Sequence, residues 1–281
     1  MARLPRLVVA NQLHHVITRG NNEQSVFVDD ADCQQFLDWL RDAARQYRVA
    51  IHGYLLLPNR VQLLVTPADE LGLGKMMQSV GRRYVPYFNA RHRRSGSLWE
   101  GRFRATVMDA DLYFMESLRL LAFLPVKAGL AADIASYPWS SHAHHLGLRK
   151  QAWLTDHAAY WQLGNTPFDR EIAYQEFCTH EPDRKLAEAI EQATHQGWVL
   201  GSPAFKAALA KLTDRRLQPA KRGRPPKVPS APTPTPVSSA SLAPTPSSLP
   251  LPAQHSGPVD VTAPAADIKA PDQAGSDASG I

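Results

Sequence analysis

The stretch Tyr54–Thr66 reads YLLLPNRVQLLVT, two apolar runs joined at Pro58-Asn59. Aliphatic and β-branched runs on either side of a Pro-Asn turn predict two buried strands. On the second strand Arg60 and Gln62 are two residues apart and point to the same face. A pair of histidines around one apolar residue at this spacing would suit a metal ion. Arg60 and Gln62 offer instead a fixed cation, which cannot ligate a metal, and a single neutral amide oxygen. A fixed cation there could hold a phosphate.

A second concentration of chemistry lies in residues 82–104. Arg82, Arg83, Arg91, Arg93, Arg94, Arg102 and Arg104 crowd into it, and Glu100 is the only acid among them. Tyr84, Tyr87, Phe88, Trp99 and Phe103 are interleaved. Guanidinium groups grip phosphates through forked hydrogen bonds, and aromatic faces stack unpaired bases, so the pattern predicts a nucleic-acid surface. Helical spacing assigns Tyr84 and Phe88 to a core. Further along, Arg222-Gly223-Arg224-Pro225, flanked by Lys221 and Lys227, resembles an AT-hook, whose extended arginines enter a narrow A·T minor groove. An ordinary basic linker has the same composition.

Other reactive types are less organised. His14 and His15 are adjacent on a predicted strand and face opposite ways. His142 and His144 have a ligand-like spacing, as part of a group with His145, but no acid or cysteine nearby in the sequence completes a metal set. Structural or surface roles are expected for these histidines. Cys33 and Cys178 match no metal spacing and read as free thiols in a reducing cytosol.

The elements that must position these residues follow from periodicity. Strands are predicted at 12–19, 50–57, 61–66 and 103–108. Helices are predicted at 30–47, capped by Asp29 or Asp30, at 70–90, kinked or ended by Pro86, and at 112–123, stopped by Pro125. The order β-α-β-β-α-β and then a helix predicts an α+β fold of the ferredoxin-like, split βαβ kind over residues 1–148. Residues 149–220 read as a separate helical segment with helices near 168–178 and 183–196. A last helix there is capped by Ser202 and opened by Pro203. Its final pair is either a helix-turn-helix that binds DNA or a plain helical hairpin. Residues 221–281 hold the basic stretch and then a tail. From Pro229 onward there are eleven prolines in 53 residues and no aromatic, which predicts disorder.

The chain of 281 residues has a formal charge of +5. The tail from residue 229 carries four Asp and one Lys, leaving about +8 on the rest. A basic folded part suggests a polyanionic partner. No apolar run approaches the ~20 residues that span a bilayer, and no signal peptide is expected.

Several ordered stretches resemble one family, the REP-associated tyrosine transposases, a bacterial branch of the one-tyrosine HUH transposases. They are Leu4-Pro5-Arg6, His14 to Asn22, Leu57-Pro58-Asn59, Leu98 to Phe103, Pro125 to Gly129, Tyr137 to Ser141, Gly197 to Ser202, and the Arg-Gly-Arg-Pro. The resemblance covers roughly residues 3–227. It implies an HUH-type domain that acts on hairpin or single-stranded DNA with Mg²⁺ or Mn²⁺, in the bacterial cytoplasm at the nucleoid. The family's metal-binding histidines fall on Arg60 and Gln62. Its nucleophilic tyrosine falls on Leu120, a second tyrosine on Leu118, and an asparagine that can complete the metal site on Leu124. Leucine offers neither nucleophile nor ligand. The resemblance therefore implies a DNA-binding protein without an intact catalytic site, with no cofactor expected. Tyr113 is the substitute nucleophile to consider, two helical turns or about 10 Å from position 120. An active nickase with a relocated site and a duplex-binding transcriptional regulator are the alternatives.

Overall fold

The computed structural model describes residues 6–219, which belong to one compact unit. Four strands form its sheet: β1 (Leu13–Arg19), β2 (Val49–Leu57), β3 (Arg60–Pro67) and β4 (Arg104–Met108). The spatial order is β2-β3-β1-β4 and every neighbouring pair is antiparallel. Between β1 and β2 runs α1 (Asp30–Gln46), and between β3 and β4 runs α2 (Gly72–Arg91). After β4 come α3 (Ala110–Lys127), two single turns α4 (His142–His145) and α5 (Ala158–Trp161), and then α6 (Pro167–Phe177), α7 (Arg184–Gln196) and α8 (Pro203–Ala210).

The cap signals act as the sequence predicts. Asp29 accepts the Asp32 amide at the start of α1, and Ser202 accepts the Phe205 amide at the start of α8 with Pro203 in the first turn. The two prolines do not. Helix α2 continues through Pro86 to Arg91, and α3 continues through Pro125 to Lys127. A proline removes one backbone hydrogen bond. In α2 the turn beyond it carries Phe88, buried against Tyr84 and His92, and that packing holds the helix together.

The register sorts side chains onto two faces, because alternate residues point to opposite sides. One face carries Val16, Tyr54, Leu56, Val61, Leu63 and Ala105 and is covered by α1 and α2. The other carries Leu13, Leu55, Leu57, Leu64 and Met108. Helix α3 covers it, and Tyr160, Tyr174, Cys178 and Ile190 from α5, α6, the end of α6 and α7 enter the same core. The helices of residues 149–220 thus share a core with the sheet rather than forming a body of their own.

Both sheet edges are blocked. Along β2 the Leu56 amide donates to Trp139 O and the Ser141 amide to Tyr54 O. Along β4 the Leu200 amide donates to Val107 O and the Asp109 amide to Leu200 O. Residues 197–202 therefore connect α7 to α8 through a paired, extended segment. A helix-turn-helix has a tight three- to four-residue turn at this point. Covered edges leave no free ladder on which another strand could add.

Candidate nucleic-acid site

Arg60 and Gln62 project from β3 onto the face shared with α3 and α7, opposite Arg19 and Ile17 of β1. Helix α7 lies over them. Its Asp183 cap and its αL terminus at Gly197 define a 13-residue helix. Ala187, Ile190, Glu191 and Thr194 follow one another at the three- and four-residue steps of one helix side. Arg60 Nη1 stands 3.8 Å from Glu191 Oε1, an ion pair too long to be a hydrogen bond.

Gln62 is wholly buried. Its Oε1 lies 3.0 Å from His15 Nε2, and the other nitrogen of that ring lies 2.8 Å from Thr194 Oγ1. Burial drives the His15 pKa down to about 4, against a raising effect of the Gln62 hydrogen bond, so the ring is neutral at pH 7. The Thr194 hydroxyl also lies 2.8 Å from Ile190 O, so its one proton serves either that carbonyl or the ring's Nδ1. The Gln62 Nε2 group is left without a hydrogen-bond partner, as is Glu191 Oε1, whose contact with Arg60 is ionic only.

The remaining positions that the resemblance singles out have no polar atoms to offer. Leu118, Leu120 and Leu124 are 2%, 2% and 8% exposed and belong to the core over the sheet. Tyr113 is half-buried against the same core, in the first turn of α3. A divalent ion does not fit this set. It would meet a guanidinium, an amide oxygen already hydrogen-bonded, and two leucines, where hard oxygen or imidazole ligands are required.

The arginine cluster divides in two. Arg91 donates to Asp29 Oδ2 at 2.6 Å, to buried Asp32 Oδ1 at 3.3 Å and to the Tyr87 hydroxyl at 2.7 Å. Arg94 donates to Gln24 Oε1 at 2.8 Å and lies over the Phe88 ring. Arg104 reaches His195 O at 3.3 Å. These three are tied into the fold. Arg82, Arg83, Arg93 and Arg102 are exposed and form no hydrogen bond or ion pair with any described residue.

The interleaved aromatics divide as the arginines do. Tyr84 and Phe88 are buried, as helical spacing predicts, and the Tyr84 hydroxyl donates to Val26 O at 2.5 Å. Tyr87, Trp99 and Phe103 pack against the same core and are only partly covered. Trp99 and Phe103 line one side of a groove of about 450 Å³ whose other side is α2. The cations on this groove are Arg6, Lys75 and Arg102, and no carboxylate lines it.

The histidines are structural, with one addition. His14 accepts the Val9 amide and contacts Gln12 O at 2.7 Å. His52 bridges Thr155 O and Thr66 Oγ1, and His142 meets the Tyr174 hydroxyl. Folding also brings in an acid that the local sequence lacks: Asp156 Oδ1 lies 3.5 Å from His144 Nε2, beside His145. His144 Nδ1 accepts the Gln151 amide, so its Nε2 carries the proton and faces Asp156 as a donor rather than a ligand. Both cysteines are buried and free. Arg222, Arg224 and the tail lie outside the described residues.

Sequence reasoning missed Glu191, Thr194 and His195. They are about 130 residues from Arg60 and Gln62. The step from Ile190 to Thr194 marks the inward side of α7, but nothing local says which strands that side meets.

Among the described residues no helix is long and apolar enough to cross a membrane. No protein-family model matches the chain, and no curated protein does. Among solved structures, a transposase candidate from Deinococcus radiodurans R1 is 23% identical, with a TM-score of 0.29 over 37% of this chain and 84% of that one. The chain is also similar to the structure of a REP-associated tyrosine transposase bound to a REP hairpin, with 15% identity and a TM-score of 0.43 over 57% of this chain and 96% of that one.

Proposed function

We propose that this chain is a DNA-binding protein of the transposase type that holds hairpin or single-stranded DNA and has lost strand cleavage. One contrast carries the reading. Every position at which the chemistry of cleavage would be placed is already engaged within the fold: Arg60 with Glu191, Gln62 with His15, Leu120 and Leu124 in the core. Arg82, Arg83, Arg93 and Arg102 meanwhile point to solvent with no protein partner among the described residues. Exposed guanidinium groups without carboxylates are suited to phosphates.

The strand order β2-β3-β1-β4, with both crossover helices on one face, supports a ferredoxin-like, HUH-type body over residues 1–148. On this reading residues 149–220 cover the old reaction face, and the basic stretch with Arg222 and Arg224 adds grip on A·T-rich duplex. The protein would work on the bacterial nucleoid. A duplex-reading regulator built on α7 and α8 fits less well, because the inward side of α7 is buried over β1 and β4.

Fluorescence anisotropy tests binding with three labelled DNAs: a hairpin with single-stranded extensions, a blunt hairpin and a linear duplex. The hairpin with extensions should bind tightest. Equal affinity for all three would overturn the preference. Incubation with the same hairpin and Mg²⁺ or Mn²⁺, followed by a denaturing gel, should give no cleavage and no protein-linked band. A covalent band that disappears in Tyr113→Phe would show that the nucleophile has moved.

A further inference from the structure

Helix α2 contains two glycines, Gly74 and Gly81, seven residues or two turns apart and therefore on one side. Neither has the positive φ that would require glycine. A Cβ built on either meets no atom within 4 Å, so close packing does not require glycine either. Glycine within a helix is less favourable than alanine because its unfolded backbone is freer. Both glycines line the 450 Å³ groove, and their bare backbone opens it. A helix that gives up side chains at two places on a solvent-facing groove, with no folding reason, is shaped for something that approaches its backbone closely.

The other lining defines the occupant. Met77, Val80, Trp99 and Phe103 form an apolar, partly aromatic floor, and Lys75 and Arg102 stand exposed at the rim. Arg6 already lies flat on the Phe103 ring, 3.8 Å from its centroid. Flat apolar surface with cations and no carboxylate matches a ligand that is planar at one end and anionic at the other. The groove also has a continuation. A small cleft of about 40 Å³, lined by Arg19, Glu100, Arg104 and His195, shares Thr18, Gly101 and Arg102 with it, and Arg19 is paired there with Glu100. Two adjoining cavities with the exposed Arg102 between them leave a path for a chain that continues beyond one planar group.

We propose that the groove between α2 and residues 99–103 takes an unpaired nucleobase of single-stranded DNA. Its phosphate lies at Arg102 and Lys75. This rests on the DNA-binding reading above and gives it a place on the molecule. The base enters against the bare backbone at Gly81 and stacks on the Trp99 and Phe103 side.

Two independent measurements test it on the full chain. In the first, a hairpin with a single-stranded extension is made with one abasic nucleotide at successive positions. One or two positions should lose roughly tenfold in affinity, with the rest unaffected. In the second, Gly81→Leu fills the groove, with Gly81→Ala as a milder control. Both variants should melt at or above the wild-type temperature, since the helix gains and a Cβ at this position meets no atom within 4 Å. Gly81→Leu should lose roughly tenfold affinity for the extended hairpin, keep its affinity for the blunt hairpin, and no longer respond to the abasic position. Tight DNA binding that is indifferent to every abasic position and to Gly81→Leu would overturn the groove and leave the DNA-binding reading standing. Failure of the wild type to bind any of these DNAs would overturn both. Saturable binding of a fatty acid, blocked by Gly81→Leu, with no effect of any abasic position would reassign the groove to an apolar anion and overturn the proposal.

Discussion

The two faces of the sheet carry similar residue types with opposite outcomes. On the α3–α7 face, Arg19, Arg60 and Arg104 all sit beside α7, where Glu191, Thr194 and His195 come down onto the sheet. Arg60 is paired, Gln62 and His15 are buried, and the leucines of α3 complete an apolar layer. On the α1–α2 face the sheet is also closed, but α2 turns Arg82 and Arg83 to solvent and leaves a groove beside Trp99 and Phe103. What separates a reactive surface from an inert one here is the covering element, not the number of polar residues. A fixed charge under a helix must be paired, whereas one at a groove is free for a ligand.

The comparison breaks most visibly with acid. Burial drives the pKa of His14, His15, His52 and His142 down to about 4, and that of His145 to about 3. Below the ordinary value of 6.5 the unfolded chain takes up protons that the folded rings refuse, so stability falls with pH. It is fully present above about 6.5 and is lost as pH falls toward 4, each ring contributing on the order of 1–3 kcal/mol. His15 lies beneath α7, His142 and His145 contact Tyr174, and His52 contacts Phe114. Hydrogen exchange at pH 5 should therefore lose protection in α6 and α7 before α1 and α2. Uniform loss would show that the two faces are one cooperative unit.

The combined variant Arg60→His, Gln62→His, Leu120→Tyr, Leu124→Asn asks whether the covered face can be reopened. Leu120→Tyr overpacks a buried position at about 1–3 kcal/mol, and Leu124→Asn buries an amide at a similar cost. The expected outcome is a markedly lower melting temperature and no cleavage of hairpin DNA with Mn²⁺, because Glu191 and Thr194 still occupy the space. Cleavage by this variant would show that α7 moves aside.

Within the arginine cluster the division is sharper. Arg91→Ala leaves the buried Asp32 carboxylate short of a partner and should lower the melting temperature by on the order of 5 °C. Arg82→Ala with Arg83→Ala should leave melting unchanged and weaken DNA binding. If the four exposed arginines each meet a phosphate, log affinity should fall against log salt with a slope of roughly −3 on single strands, and the double variant should halve it. An unchanged slope would remove α2 from the interface. The smallest effect is expected from deleting residues 229–281, whose composition predicts no core and hence no change in melting temperature.

Much of this was legible in the sequence. Periodicity placed the four strands and the main helices, Asp29 and Ser202 marked their helix starts, and spacing assigned Tyr84 and Phe88 to the core. Turn chemistry, caps and alternation are local, so they survive in a linear reading. Proline was the local signal that misled: Pro86 and Pro125 lie inside helices, and beyond Pro86 the turn is held by packing of Phe88 that no window of sequence contains. Composition also grouped seven arginines that the fold divides into four with no hydrogen bond or ion pair among the described residues and three tied down. Asp29 and Asp32 stand some sixty residues before Arg91, and their charge reaches it only when α1 packs on α2.

The residues at 60, 62, 118, 120 and 124 are facts of sequence alone: a guanidinium, an amide and three leucines, which make up neither a nucleophile nor a metal-ligand set. Only tertiary structure decided what took their place. Ile190, Glu191 and Thr194 are brought onto β1 and β3 by burial of apolar surface on α7, a non-directional force that names no partner in advance. Asp156 comes to His144 in the same way. The groove, too, exists only because α2 and residues 99–103 are held apart by the aromatic core between them, with Gly74 and Gly81 leaving its wall bare.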